Sequence, residues 1–268
     1  MRKTERRGLW IWIAVVLIKP LSMLLTRRDW RGPEHVRRPG GMIVAANHVS
    51  YVDPLLFSHF LYDAGGRIPR FMAKIEIFRI KCFGRIVRGA GQIPVYRATA
   101  DAGDALRDAV TALRDGKAVV IYPEGTITRD PDYWPMVAKT GVARLALETG
   151  APVVPVAQWG PQEVYGRDKK LRLLPRKTIR MVAGPPVDLS AYRGRPLTPD
   201  VLRGATAEVM ARIRAQLGEA RGQVPPVAVW NPRVGRRELV ASEPNGEPHD
   251  NGEPDDVVAV QPEARRTA

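Results

Sequence analysis

The chain has 268 residues, of which 44% are hydrophobic, and it carries a formal net charge of +14. This length suits one sizeable domain with appended segments, and the single cysteine, Cys82, excludes an internal disulfide. The four histidines and the cysteine show no HExxH or CxxC spacing, so we predict no metal site. The positive charge favours anionic partners. Basic helices with interleaved aromatics and zinc-finger signatures are missing, so we expect no nucleic-acid partner.

The first predicted element is an apolar helical segment over residues 9–25, LWIWIAVVLIKPLSMLL. Basic side chains flank it on both sides, and tryptophans lie near both ends, as is typical of membrane–water boundaries. The segment is at the short limit for a spanning helix, and Pro20 is expected to kink it. We therefore predict that residues 1–38 form a basic and apolar membrane anchor. The pattern leaves open whether it spans the bilayer or lies in the interface.

Residues 39–217 alternate between strand and helix patterns. The predicted strands cover 41–47, 118–123, 152–158 and 178–184, and the predicted helices cover 54–61, 101–116, 139–150 and 198–218. This alternation predicts an α/β domain with a mixed, largely parallel central sheet flanked by helices. Residues 218–268 are rich in proline, glycine and acidic side chains, which predicts a disordered C-terminal tail.

The stretch NHVSYVDP, residues 47–54, contains His48 and Asp53. On a regular helix or strand, residues five apart point in different directions, so these two side chains meet only if the chain bends. A bend is expected, because a predicted strand ends just before His48 and Pro54 suits the first turn of a helix. The pattern by itself also fits an ordinary helix cap at Asp53 and an ordinary loop histidine at His48.

Three further stretches accompany this one: GQIPVYR at 91–97, YPEGTITRD at 122–130 and APVVPVAQWG at 151–160. Together the four blocks resemble, in order and spacing, those of the lysophosphatidic-acid acyltransferase family, also called 1-acyl-sn-glycerol-3-phosphate acyltransferases. The resemblance covers residues 43 to about 160. The family's fold is an α/β domain, as the strand and helix patterns also predict.

The resemblance implies a role for each matching residue. His48 would be the general base and Asp53 the carboxylate that orients it, which suits acyl transfer to a hydroxyl without a covalent intermediate. Arg97 would bind the acceptor's phosphate. The residues implied in substrate binding alongside it are Glu124, Gly125, Thr126 and Lys139, and those implied in support of the site are Asn47, Gly91 and Pro155.

Two features leave alternatives open. Glu124 also fits a structural salt bridge, and Ser50 is a rival nucleophile, although it lies in no GxSxG elbow. The family's arginine after PEGT is displaced here, since Ile127 and Thr128 precede Arg129.

The implied reaction moves a fatty acyl group from acyl-CoA or acyl carrier protein to lysophosphatidic acid, and it needs no cofactor. The expected partners are these substrates and membrane lipids, and the expected location is the cytoplasmic face of the cell membrane. Other acceptors, namely glycerol-3-phosphate, another lysophospholipid or a glycolipid, and a non-catalytic lipid-binding role remain alternatives.

Overall fold

The computed structural model describes residues 8–95 and 102–239. The helices are α1 (Leu9–Leu25), α2 (Asp53–Asp63), α3 (Ile75–Arg79), α4 (Phe83–Gly89), α5 (Ala102–Arg114), α6 (Gly141–Thr149), α7 (Pro161–Val164) and α8 (Pro199–Arg221). The strands are β1 (Thr26–Arg31), β2 (Met42–Ala46), β3 (Pro69–Lys74), β4 (Ile93–Val95), β5 (Ala118–Ile121), β6 (Val153–Trp159), β7 (Lys177–Ala183), β8 (Ala228–Asn231) and β9 (Arg236–Leu239).

Seven of these strands form one sheet in the order β1-β7-β6-β2-β5-β3-β4. All neighbouring strands are parallel except β6 and β7, which are antiparallel. The predicted α/β class with a mixed, largely parallel sheet is therefore confirmed. The four strands and four helices predicted from apolar patterns each correspond to an observed element, with small shifts at the ends.

The sheet is covered on both faces, as the alternation of β2 shows. Ile43 and Ala45 face a core built from α5, α6 and α8. Met42, Val44 and Ala46 face the other core, which includes the buried side chains of α2. Every residue of β2 is thus buried, because a parallel strand in the middle of such a sheet has no solvent face. His48 follows this central strand at its carboxyl end, where sites in α/β folds tend to lie.

Helix α1 coincides with the predicted apolar segment, and it packs on the domain. Ile11 lies against Ile68 and Ala90, and the Lys19 ammonium lies 2.9 Å from the Asp63 carboxylate on α2. The sequence leaves open whether this segment spans a bilayer. Within residues 8–95 and 102–239, none of the helices combines the length and the hydrophobicity that crossing a bilayer requires.

Two segments differ from the sequence prediction. Residues 26–31, predicted as part of a basic anchor, form β1 and pair in parallel with β7 at the edge of the sheet. The tail predicted as disordered from residue 218 instead completes α8 as far as Arg221 and forms the β8–β9 hairpin. Strands β1 and β9 are short and charged, and β8 has only four residues, so their sequences lack the apolar alternation by which strands are recognised. Residues 240–268 lie outside the described part of the chain.

Candidate active site

The loop between β2 and α2 brings His48 and Asp53 together. The His48 Nδ1 atom lies 2.7 Å from Asp53 Oδ2. The same oxygen accepts hydrogen bonds from the backbone N–H groups of Val49, at 2.7 Å, and Ser50, at 2.9 Å. The chain thus turns around one carboxylate oxygen, and this turn is the bend that the five-residue spacing required.

Asp53 is fully buried at the first turn of α2. Burial raises the pKa of its carboxyl group, while the hydrogen bonds from His48, Ser50 and Val49 act in the opposite direction by stabilising the carboxylate. Three N–H groups pointing at one oxygen favour an ionised acceptor, and we therefore treat Asp53 as the negative partner of the His48 ring.

This arrangement selects the tautomer of His48. Because Nδ1–H donates to Asp53, the neutral ring carries its lone pair on Nε2. Among the described residues, no group forms a hydrogen bond with Nε2. The Tyr122 ring stacks on the imidazole with 4.2 Å between centroids and an angle of 12° between planes. Burial raises the pKa of the Tyr122 hydroxyl well above its ordinary value, so a neutral ring covers this face of His48.

Glu124 joins the PEGT turn to the His48 loop. Its Oε1 accepts from the His48 backbone N–H at 3.0 Å, and its Oε2 accepts from the Met136 N–H at 2.9 Å. The Thr128 N–H in turn donates to the His48 carbonyl at 2.8 Å. Both carboxylate oxygens of this buried side chain are therefore engaged by backbone, which fits a residue that positions the loops. Among the residues that the structure describes, Glu124 makes no salt bridge, while Arg97 lies outside them. Burial raises the Glu124 pKa to about 8.

The rest of the PEGT turn lies beside Lys139. Gly125 has a φ of +69°, and an added Cβ would lie 3.3 Å from Lys139 Cε. The exposed Lys139 side chain thus lies over this turn, so the structure brings together two stretches that the sequence predicted as substrate-binding. Thr126 is partly exposed in the same turn, and Arg129 is exposed further along it.

Asn47, at the end of β2, supports the site through hydrogen bonds to β6. Its side-chain oxygen accepts from the Gln158 backbone N–H at 2.8 Å, and its amide donates to the Gln158 carbonyl at 3.0 Å. The Gln158 side chain donates back to the Asn47 carbonyl at 2.7 Å. Pro155 lies earlier in β6, opposite Ala45, and its carbonyl accepts from the Gly184 N–H at 3.0 Å. Asn47 therefore ties the end of β2 to its neighbour, and Pro155 belongs to the sheet interior.

The remaining candidates from the sequence are Gly91, Ser50 and Arg97. Gly91 precedes the edge strand β4, whereas His48 follows the central strand β2. A Cβ added at Gly91 would lie 2.9 Å from the Arg70 guanidinium. Ser50 is fully buried and donates its hydroxyl to the Tyr165 carbonyl, which does not suit a nucleophile. Arg97 lies outside the described residues, so its phosphate-binding role stays a prediction.

Sequence reasoning missed Tyr122 and Gln158. Tyr122 immediately precedes the PEGT block. Its position in the sequence does not predict that its ring stacks on a histidine 74 positions earlier. Gln158 was included in a predicted strand without any assigned role. For the residues that the structure describes, no group of three or more metal-ligating side chains comes together.

Comparison with known proteins identifies the family. Residues 27–159 match the model of the family described as Acyltransferase. The protein belongs to the acyltransferase family, and the resemblance predicted from the four sequence blocks is confirmed.

Two curated relatives and one crystal structure illustrate the likeness. The chain is 28% identical over 135 residues to a protein of Borreliella burgdorferi named 1-acyl-sn-glycerol-3-phosphate acyltransferase, which covers 50% of this chain and 52% of that protein. It is 27% identical over 167 residues to the N-acylphosphatidylethanolamine synthase of Arabidopsis thaliana, and this alignment covers 56% of this chain and 58% of that protein. The chain thus spans about half the length of these relatives.

The fold resembles that of the lysophosphatidic-acid acyltransferase PlsC from Thermotoga maritima. The TM-score is 0.62 at 23% sequence identity, over 84% of this chain and 85% of the other. This similarity supports the α/β architecture.

We expect Asp53→Asn to lower the turnover number for acyl transfer by about 10²–10⁴-fold. An asparagine amide can donate to Nδ1, which moves the ring proton to Nε2 and removes the base. Steady-state kinetics checks this, with circular dichroism to verify folding. A folded variant with the wild-type rate would contradict the assigned tautomer.

We also predict that Glu124 makes stability dependent on pH. Since its folded pKa of about 8 lies above the ordinary value of 4.5, the protonated form is favoured in the folded state. Its contribution is complete below pH 4.5 and is lost as pH rises towards 8, at about 1.4 kcal/mol per pH unit at most. The free energy of unfolding should therefore fall more steeply over this range in wild type than in Glu124→Gln.

Urea unfolding at several pH values measures this difference. Glu148→Gln is the control, because Glu148 lies partly exposed on α6 and pairs with Arg144. Parallel pH curves for wild type and Glu124→Gln would show that Glu124 is ionised in the folded protein.

Proposed function

We propose that the protein transfers a fatty acyl group from acyl-CoA or acyl carrier protein to the free hydroxyl of 1-acylglycerol-3-phosphate. The product is phosphatidic acid, an intermediate of phospholipid biosynthesis. The observation that carries the proposal is the His48–Asp53 pair, in which a buried carboxylate binds Nδ1 and directs the basic Nε2 away from itself.

In the proposed step, His48 Nε2 accepts the proton of the acceptor hydroxyl while the hydroxyl oxygen attacks the thioester carbonyl. The carbon–sulfur bond of the tetrahedral intermediate then breaks, and the leaving thiolate takes the proton back from His48. Asp53 stabilises the imidazolium between these two events, as the carboxylate of a Ser-His-Asp triad does. The acceptor hydroxyl occupies the place of the serine, so the step uses no enzyme nucleophile and no cofactor beyond the acyl donor.

The acceptor's phosphate requires cationic partners. Lys139 suits this role because its exposed side chain lies over the Gly125 turn, which is linked through Glu124 to the His48 loop. We assign Arg97 to the same phosphate, on the basis of the motif alone. A guanidinium can bind a phosphate through two hydrogen bonds.

We further propose that α1 lies in the membrane interface on the cytoplasmic side. Several large apolar side chains of this helix face solvent: Leu9, Trp12, Leu17, Leu21 and Leu24. The loop after α7 adds exposed Leu171 and Leu174 among basic residues, and Arg176 donates to the Met23 and Thr26 carbonyls at the end of α1. Apolar side chains among cations suit the surface of an anionic bilayer.

The primary test is acceptor-dependent thiol release. Purified protein, palmitoyl-CoA and 1-acylglycerol-3-phosphate should release free CoA, and His48→Ala should reduce the rate by roughly 10²-fold or more. Parallel assays replace the acceptor with glycerol-3-phosphate or with phosphatidylethanolamine, whose N-acylation the Arabidopsis relative's name implies.

His59→Ala provides a matched control, because His59 is a buried histidine of α2 that bonds Ser22 and Asp63 rather than Asp53. An active wild type whose rate survives His48→Ala would refute general-base catalysis by His48. Release with another acceptor only would retain the mechanism and change the substrate.

The interfacial role predicts binding to vesicles that contain phosphatidylglycerol. Leu17→Glu combined with Leu21→Glu should weaken cosedimentation at least tenfold, because each buried leucine contributes about 1.5–3 kcal/mol. Val224→Glu is the control, since Val224 is more exposed than either leucine but lies beyond α8. Equal binding of both variants would exclude α1 as the contact.

A further inference from the structure

The β8–β9 hairpin lies outside the seven-stranded sheet and contacts the loop beside the candidate site. We propose that this hairpin positions His48, and that Arg237 is the residue through which it acts. The proposal rests on the acyl transfer proposed above, because it assigns the hairpin a role in that reaction. The family match ends at residue 159, so it does not include this part of the chain.

Arg237 binds two carboxylates at once. Its Nε lies 2.6 Å from Asp130 Oδ2, and its Nη2 lies 2.7 Å from Asp130 Oδ1. Nη2 also lies 2.7 Å from Asp132 Oδ2. Asp130 is fully buried, so a planar guanidinium with two parallel hydrogen bonds is well suited to neutralise it.

The hairpin has a second attachment close to the first. The Val137 N–H donates to the Trp230 carbonyl at 2.9 Å, and Met136 pairs with Trp230 as an isolated parallel bridge. Among the described residues, the hydrogen bonds that the hairpin makes outside itself all go to residues 130–137. The hairpin therefore restrains this segment rather than the sheet.

The carboxylate that Arg237 binds also closes the turn. Asp130 Oδ1 accepts from the Asp132 N–H at 2.8 Å and from the Trp134 N–H at 3.3 Å. The Thr128 hydroxyl donates to the Trp134 carbonyl at 2.6 Å across the same turn. Movement of Asp130 would consequently disturb the backbone between Thr128 and Trp134.

Both ends of this turn reach His48. At one end, the Thr128 N–H donates to the His48 carbonyl at 2.8 Å. At the other end, the Met136 N–H donates to Glu124, whose second oxygen accepts from the His48 N–H. The hairpin thus restrains the backbone of His48 through its carbonyl and its N–H, by two separate routes.

Other arginines contact the turn differently. Arg167 donates to the backbone carbonyls of Thr128 and Asp130, and Arg221 donates to the Asp132 carbonyl. Within the described part of the chain, Arg237 is the cation whose side chain pairs directly with the buried Asp130 carboxylate. Its removal leaves that charge buried without a fork-shaped partner, which favours opening of the turn.

The test compares Arg237→Gln and Arg237→Lys with Arg236→Gln. Arg236 is a matched control, because it precedes Arg237 on the same strand, is largely exposed and pairs with Glu238 of the hairpin itself. Two quantities are measured on the full chain: the steady-state constants kcat and KM, and amide hydrogen exchange resolved by segment.

We expect Arg237→Gln to lower kcat by roughly 10- to 100-fold with little change in KM, since His48 is displaced rather than the substrate site removed. Exchange should accelerate at residues 47–50 and 124–136 and remain unchanged in α6. Arg237→Lys keeps the positive charge but loses the two parallel hydrogen bonds of the guanidinium, so it should give an intermediate result. This variant replaces Arg237→Gln in the test if Arg237→Gln does not fold. Arg236→Gln should match wild type.

Unchanged kcat and unchanged exchange at residues 47–50 in a folded Arg237 variant would overturn the proposal. A uniform rise in exchange that includes α6 would also overturn it, because the hairpin would then only stabilise the fold. If the wild type shows no acyl transfer, the proposed function fails separately. Exchange at residues 47–50 then decides whether Arg237 positions this loop.

Discussion

The site depends on one carboxylate oxygen, Asp53 Oδ2. It accepts hydrogen bonds from the His48 ring and from the Val49 and Ser50 N–H groups, all within 2.9 Å. A buried charge is tolerated only where donors replace the water that it has lost. The loop supplies those donors, and in doing so it takes the shape that brings His48 to its partner. The same interaction therefore folds the loop, orients the imidazole and selects the tautomer that can act as a base.

This loop is held from two directions. The Asn47–Gln158 hydrogen bonds fasten it to β6, the neighbour of β2 in the sheet. Glu124 fastens it to the PEGT turn by accepting from the His48 N–H, and Tyr122 covers the imidazole face. The proposed role of His48 as general base requires a defined direction of its ring, and backbone hydrogen bonds on both sides of His48 provide that direction.

Long apolar patterns were predictable because burial on both faces of a parallel strand leaves a continuous hydrophobic run, as in β2 and β5. Strand β1, with the sequence TRRDWR, has no such run, and its place at the edge depends on pairing with β7. The β8–β9 hairpin lies within the tail predicted as disordered, and its short strands likewise lack a long apolar run. Its attachment comes from Arg237 and Trp230 bonding to a distant turn, a contact that composition does not reveal.

The sequence by itself determined the α/β class, the position of His48 at the end of a buried strand, and the family. These properties depend on local patterns and on residues close together in the chain. Tertiary structure alone decided that Glu124 accepts hydrogen bonds from backbone N–H groups, that Gly91 precedes the edge strand β4, and that Arg237 meets Asp130 across 107 residues. The physical reason is that hydrogen bonds and ion pairs between distant segments form only after the sheet has set their distance and direction.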